Sequence, residues 1–185
     1  MRHATTARLT GYLSELAVLE ERCANQAFNA QDGGAVSWDR FFHELVRWYS
    51  VPGVCGPRAN EENFKEIRFA GGKDGPLGYG PPLIVRQSYQ LMEWAKEPSN
   101  KRAWEEMMAQ SKGQLTKNVF EGGNSDFFMG DFAYLPFGTL SMNKARRFGF
   151  CGFVDTLESI FEMYQEMEKL GWLPSMSVDS ASLLI

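Results

Sequence analysis

Between Ser141 and Pro174 the chain reads SMNKARRFGFCGFVDTLESIFEMYQEMEKLGWLP, and no other stretch limits the possible folds so tightly. It spells two helices with written ends. Ser141 is placed to cap a short helix whose Lys144, Arg146 and Arg147 fall near its C-terminus, where cations complement the helix dipole. Gly149 supplies the stop. Asp155-Thr156 with Glu158 close behind starts a longer helix in the manner of a capping box. Its Leu157, Ile160, Phe161, Tyr164 and Met167 recur at three and four residues and so share one face. Gly171 and Pro174 end it. An apolar stripe of that kind needs a core or a partner to cover it.

The upstream chain is also read mostly as helix. Leu9, Leu13, Leu16 and Ala17 predict a helix over 6–21. A short extended segment, Asn25 to Asn29, runs into the turn Asp32-Gly33-Gly34. Ser37 then caps a helix over 38–49. Trp38, Phe41, Phe42, Leu45, Trp48 and Tyr49 form its apolar face, and Asp39, His43, Glu44 and Arg47 lie mostly opposite. Asp39 to His43 and His43 to Arg47 are each four apart and can meet on the surface. From Val51 to Pro82 glycine and proline are too dense for long regular elements, which predicts a loop. Gly71-Gly72-Lys73-Asp74-Gly75 and Gly78-Tyr79-Gly80 match neither phosphate-binding fingerprint, and neither is expected between a strand and a helix. Further helices are predicted over 83–97, over 100–112 with Ser99 as cap, and over 126–135. The last, DFFMGDFAYL, carries more large rings than one helix face buries. The tail, 175–185, has no pattern and is expected to be loose.

The resulting fold class is mainly α with few short strands, organised as one domain over 1–174. An extended segment standing alone at 25–29 has unpaired backbone groups and calls for a sheet partner elsewhere. The length of 185 residues suits this. The net charge of −4 offers no basic stripe for nucleic acid. No run approaches the roughly 20 apolar residues of a membrane helix. The first ten residues lack the apolar core of a signal peptide, so a cytoplasmic location is expected. Cys23, Cys55 and Cys151 are odd in number and far apart, without metal or disulfide spacing, and are read as buried free thiols. With only two histidines, metal sites and Cys/His nucleophilic chemistry find no support.

The wording Ala24-Asn25-Gln26-Ala27-Phe28-Asn29, Asp32-Gly33-Gly34, Val36-Ser37-Trp38 resembles the late strand, turn and helix of extended short-chain dehydrogenases/reductases. Met92-Glu93-Trp94, Trp104-Glu105-Glu106 and above all 141–174 resemble the C-terminal end of the PRISE group, the progesterone 5β-reductase and iridoid synthase-like reductases. Fungal members of that group often belong to secondary metabolism. The resemblance implies an NADPH-dependent lineage acting on enones or related carbonyl compounds, with a Tyr and a Lys stabilising the developing oxyanion. It also implies that the dinucleotide fingerprint and that Tyr/Lys pair lie upstream of this chain. The expectation is thus a truncated substrate-binding part without the Rossmann half, with no cofactor-binding residues of its own. None of the six tyrosines can be made the catalytic one by residue type alone.

On the substrate side the resemblance carries over to Phe128, as an aromatic lining the substrate pocket, with Asp131 and Phe132 about one turn on. For the one or two polar groups that non-redox chemistry would need, the candidates are Asp126, Asp131 and His43. Three functional readings follow. The first is a reductase-derived protein that binds a hydrophobic metabolite of terpenoid or polyketide type and guides a non-redox cyclisation or isomerisation by shape. The second is a subunit that completes a site with a partner Rossmann polypeptide or a second copy of itself. The third is a piece of a full NADPH-dependent reductase.

Overall fold

Thr6, Ser37 and Asp155 fix where the long helices begin. The computed structural model describes residues 5–34, 36–55, 64–75, 78–121 and 140–182. Thr6 accepts from the Leu9 amide at the head of α1, Ala7–Leu19. The Ser37 hydroxyl accepts from the Arg40 amide at 3.1 Å and opens α2, Trp38–Trp48. Asp155 accepts from the Leu157 and Glu158 amides at 2.9 and 3.0 Å, opening the last helix, Thr156–Lys169. Each cap satisfies amides that a helix start leaves without an intrahelical partner.

Two strands and three further α-helices follow among the described residues. Strands β1, Lys65–Phe69, and β2, Leu83–Gln87, pair antiparallel, with Lys65 opposite Gln87 and Phe69 opposite Leu83. Helices α3, Leu91–Lys96, and α4, Pro98–Gln110, follow. The short basic helix α5 is Asn143–Arg147, which makes the last helix α6. The described residues are therefore mainly helical with one two-stranded sheet, as expected of the fold class.

The chain divides into two compact units. The first comprises 1–54, 114–117 and 136–185, and the second 55–113 and 118–135. The expected 1–174 domain thus spans both.

The first unit holds two apolar clusters. Leu9 and Leu13 of α1 meet Met142, Ala145, Phe150 and Val154, with Phe28 and Ala30 packed alongside. Trp48 of α2 meets Leu157 and Phe161 of α6 and Ala181 of the tail. The Trp48 ring stands edge-on to Phe161 and Tyr164, at 5.0 and 5.8 Å between centroids. The α6 stripe is therefore covered by the chain's own core.

A buried carboxylate ties this unit together. Asp32, 2% exposed, accepts from the Thr6 amide and hydroxyl, each at 3.0 Å, and from the Thr156 hydroxyl at 3.1 Å. It thus joins the first turns of α1 and α6, where helix dipoles favour negative charge.

Several sequence expectations are corrected. No strand forms at 25–29; Phe28 instead packs edge-on to Phe148, and Asn29 donates to the Ser141 carbonyl at 3.1 Å. Side-chain contacts to the 140–148 segment take the place of sheet pairing. The helix expected from Leu83 begins only at Leu91. Leu83-Ile84-Val85 forms a strand because Lys65–Phe69, inside the stretch read as loop, supplies the partner. Glu97 is extended ahead of Pro98, which disfavours helical backbone before it, so α3 ends there. Pro98, not a capped Ser99, opens α4 as its first helical residue.

The tail differs most from expectation. The Trp48 indole donates to the Ala181 carbonyl at 2.8 Å, the Arg47 guanidinium donates to the Ser180 carbonyl at 2.7 Å, and Ala181 is fully buried. Of the cysteines, Cys23 is buried as expected, but Cys55 and Cys151 are exposed.

In the second unit Trp94 and Phe120 lie 6.1 Å apart between ring centroids. None of this unit's described residues is fully buried. The helix expected over 126–135 lies outside the described residues.

Candidate functional site: an apolar cleft in the first unit

The apolar stripe of α2 does more than fill the core. Phe42, Leu45 and Val46, with Tyr49 just past the helix end, recur at three and four residues and form one wall of a cleft of about 440 Å³. Tyr164 of α6, Leu173 and Pro174 line it as well, together with Val51, Gly53 and Val54 after α2. Two backbone reversals bring those segments into place. Ser50 takes φ of 50° directly after the α2 cap, so the chain turns back along the helix end. Gly171 takes φ of 74°, and its carbonyl accepts from the Thr116 and Lys117 amides at 2.9 and 3.0 Å. A Cβ there would fall 2.3 Å from the Thr116 hydroxyl oxygen, so position 171 demands glycine in both conformation and space.

The lining is almost wholly hydrocarbon and aromatic. Its side-chain polar atoms are the hydroxyls of Tyr49 and Tyr164. The Tyr49 hydroxyl is shielded from solvent and has no hydrogen-bond partner among the described residues. Burial, with Tyr164 and Glu168 close by, pushes its pKa well above the ordinary phenol value. The group is therefore a neutral O–H donor across the whole physiological range.

The residues singled out by sequence fall elsewhere. Phe128, Asp131 and Phe132, and Asp126 with them, lie outside the described residues. His43 sits exposed on the polar face of α2. Its Nδ1 is 2.8 Å from the Asp39 carbonyl oxygen and 3.6 Å from the Asp39 carboxylate, as the four-residue spacing foretold. Its other expected neighbour, Arg47, pairs with Glu44 at 2.7 Å instead. His43 takes no part in the cleft lining. The cleft itself was open to sequence reasoning only as the α2 stripe; the contributions of Val51, Val54, Leu173 and Pro174 carry no local signal.

The glycine turns of 71–80 are a poor match for a dinucleotide. They join two antiparallel strands, whereas a pyrophosphate site of the Rossmann type sits on a strand-to-helix turn. Their amides are also engaged within the loop: Gly72 donates to the Gly80 carbonyl, Gly75 to Gly72, and Gly78 to Gly75, at 2.7, 3.1 and 2.9 Å. Among the described residues no cluster of three or more His, Cys, Asp or Glu side chains could hold a metal ion. No described helix is long and apolar enough to cross a membrane.

Comparison with known proteins adds a lineage. Over 154 residues, 82% of its length, the chain is 28% identical to the short chain dehydrogenase gsfE of Penicillium aethiopicum. This chain is similar to a short chain dehydrogenase. It is also 22% identical over 160 residues to an uncharacterized protein of Schizosaccharomyces pombe. The matched regions make up 36% and 39% of those two proteins, so the chain spans less than two-fifths of the curated relatives it matches. No protein-family model and no solved structure matches it.

Proposed function

We propose that this chain is a short-chain-dehydrogenase-derived protein of the PRISE type that receives a hydrophobic metabolite, terpenoid or polyketide-like, and acts on it without a redox step of its own. The observation that carries this reading is the match of 82% of the chain to 36% of a fungal short chain dehydrogenase. The cleft between α2 and the end of α6 supports the binding part. Its volume is in the range of small-molecule sites, and its lining suits an apolar guest. A rigid apolar surface can steer a cyclisation or isomerisation by holding one conformer of the guest, with a hydroxyl to polarise it. On the resemblance, Phe128, Asp131 and Phe132 add further contacts to the substrate, and a cytoplasmic location goes with the same reading.

A second reading is favoured by the lengths of the relatives, of which the chain covers 36% and 39%. In it the chain is the substrate-side part of an NADPH-dependent enone or carbonyl reductase, completed by a Rossmann portion on the same polypeptide, on a partner subunit or on a second copy. The described glycine turns of this chain do not fit a dinucleotide, so in this reading the Rossmann portion would hold the NADPH.

Calorimetric titration of the purified chain separates the two. The first reading expects heat from a hydrophobic terpenoid or polyketide ligand and none from NADPH. Saturation at a hundred times the dissociation constant should stabilise the fold by about 2.7 kcal/mol. Binding of NADPH by this chain alone would overturn the claim that it does no redox chemistry. Failure of every apolar ligand tried, with ligand binding restored by adding a Rossmann polypeptide, would establish the second reading.

A further inference from the structure

The hairpin of the second unit leaves backbone chemistry unused. Strands β1 and β2 pair with each other, and among the described residues no third strand joins either edge. A two-stranded sheet is marginally stable in water, and further strands are what make such a sheet durable. β1 reads Lys65-Glu66-Ile67-Arg68-Phe69. Lys65, Glu66 and Arg68 are exposed, while Ile67 and Phe69 are half-buried. Across the hairpin Ile67 sits opposite Val85, Glu66 opposite Arg86 and Arg68 opposite Ile84.

We propose that the free edge of β1 is the docking site for β1 of a second copy of this chain, about a two-fold axis at Ile67, so that two hairpins become one four-stranded antiparallel sheet. The surface lies in the second unit and does not depend on the ligand reading. Charge decides the register. In an antiparallel pair, facing residues share one backbone orientation, and that orientation alternates along the strand. A two-fold pairing of β1 with itself is therefore centred on a residue: Glu66, Ile67 or Arg68. Centring on Glu66 or Arg68 sets that residue against its twin, and like charges directly opposite are destabilising. Centring on Ile67 sets Glu66 opposite Arg68 twice and Ile67 opposite Ile67. Lys65 then faces Phe69, whose ring its hydrocarbon stem covers. Across the four strands one face carries the row Val85, Ile67, Ile67, Val85. The other carries Arg86, Glu66, Arg68, Ile84, with the glutamate between two arginines. Within one copy Arg68 already donates to Glu66, and a carboxylate has a second oxygen for the twin's arginine. Charges on an edge strand commonly keep other strands away. In β1 they reject the slipped registers and admit one. β2 is the poorer edge. Centred on Ile84 it brings Pro82, which has no amide to give, opposite Arg86; centred on Val85 it sets Arg86 against Ile84. Arg86 is moreover held over the Phe64 ring, 5.3 Å from its centroid.

The test uses the full chain. Sedimentation equilibrium from micromolar to millimolar concentration should show monomer and dimer in exchange. Arg68→Glu sets glutamate against glutamate, and Glu66→Arg sets arginine against arginine. Each should weaken self-association by about tenfold. An equimolar mixture of the two variants should restore association, because every 66–68 pair across the axis then joins opposite charges. That restoration also shows that both variants fold. In a Cys55→Ser, Cys151→Ser background, oxidation should link Ile67→Cys to its twin, since facing Cα atoms lie about 4.5–5.5 Å apart, within disulfide reach. Lys65→Cys, about 14 Å from its twin in this register, should stay unlinked. A chain that stays monomeric at millimolar concentration overturns the proposal, including the case in which a strand of a Rossmann polypeptide takes the edge instead. A dimer that both charge variants retain, or a mixture that associates no better than either variant alone, overturns it as well.

Discussion

The two units of this chain both carry regular structure and differ in what that structure encloses. Among the described residues of the first unit twelve hydrophobic residues are buried, among them Trp48 at 0%, Leu9 at 1% and Phe161 at 3% exposure. In the second unit β1, β2, α3 and α4 bury none of their described residues fully, and Trp94 is left 37% exposed. Hydrogen bonding does not account for the contrast, since both units have well-formed helices and the second has a complete ladder. The difference is hydrophobic. A net backbone hydrogen bond adds about 0.5–1.5 kcal/mol, whereas full burial of a large apolar side chain adds about 1.5–3 kcal/mol. Stability should therefore be concentrated in the first unit, and that is where the apolar cleft lies, on walls that the core holds rigid.

That contrast can be broken by truncating one aromatic in each unit. Phe161→Ala should lose about 3–5 kcal/mol in urea unfolding, as a core ring does. Trp94→Ala in the second unit should lose no more than about 1 kcal/mol. Equal losses would show that the second unit's rings are as well packed as the first's. Native-state hydrogen exchange sharpens the same point without mutation. Amides of α6 should exchange only through global opening, and those of β1, β2 and α4 through lower-energy local openings.

Smaller effects probe how the first unit is fastened. Asp32→Asn should cost about 1.5–3 kcal/mol, because a charged acceptor for three hydrogen bonds becomes a neutral amide. Loss of less than half a kcal/mol would show that α1 and α6 are joined by packing alone. Asp155→Ala should remove about 1 kcal/mol through the lost cap of α6. Glu20 gives the smallest effect and the clearest pH signature. Hydrogen bonds from the side chain and backbone of Arg22 hold its carboxyl down to about 2, from an ordinary 4.5. Its folded-state pKa is depressed, so its contribution is complete above about 4.5 and disappears as pH falls through about 2. The readout is a carboxyl NMR titration: a midpoint near 2 in the native protein, returning toward 4.5 in Arg22→Ala. A native midpoint near 4.5 would remove the Arg22 interaction.

Phe128→Ala tests the residue that the family resemblance points to. If Phe128 contacts the substrate, the variant should weaken binding of a terpenoid ligand by more than it lowers stability. A loss of about 3–5 kcal/mol in stability with unchanged affinity would make it a packing residue.

Legibility followed the range of the interaction. The helices at Trp38–Trp48 and Thr156–Lys169 were readable because caps, stripes and glycine stops are local: Ser37, Asp155 and Gly171 act within a few residues of themselves, whereas α1 was read from its leucine stripe without its Thr6 cap. The strand at Leu83–Gln87 was misread because a short apolar run fits either a buried helix or a strand until its partner is known, and Lys65–Phe69 stood in a Gly/Pro-dense stretch. The tail was misread because Ala181 and Ser180 act through their backbone carbonyls, which no residue type advertises.

By itself, then, the sequence determined the helical class, the ends of the principal helices and the resemblance to a reductase lineage, because these depend on neighbours along the chain and on wording. Only the tertiary structure decided the rest. It turned Asp32 from a turn residue into the junction of α1 and α6, and it drew 173–174 back toward α2 to close a cleft. It also buried the Tyr49 hydroxyl without a hydrogen-bond partner among the described residues. Burial and the pairing of polar groups are set by residues more than a hundred positions apart, Thr6 and Thr156 or Trp48 and Ala181, and no local pattern encodes them.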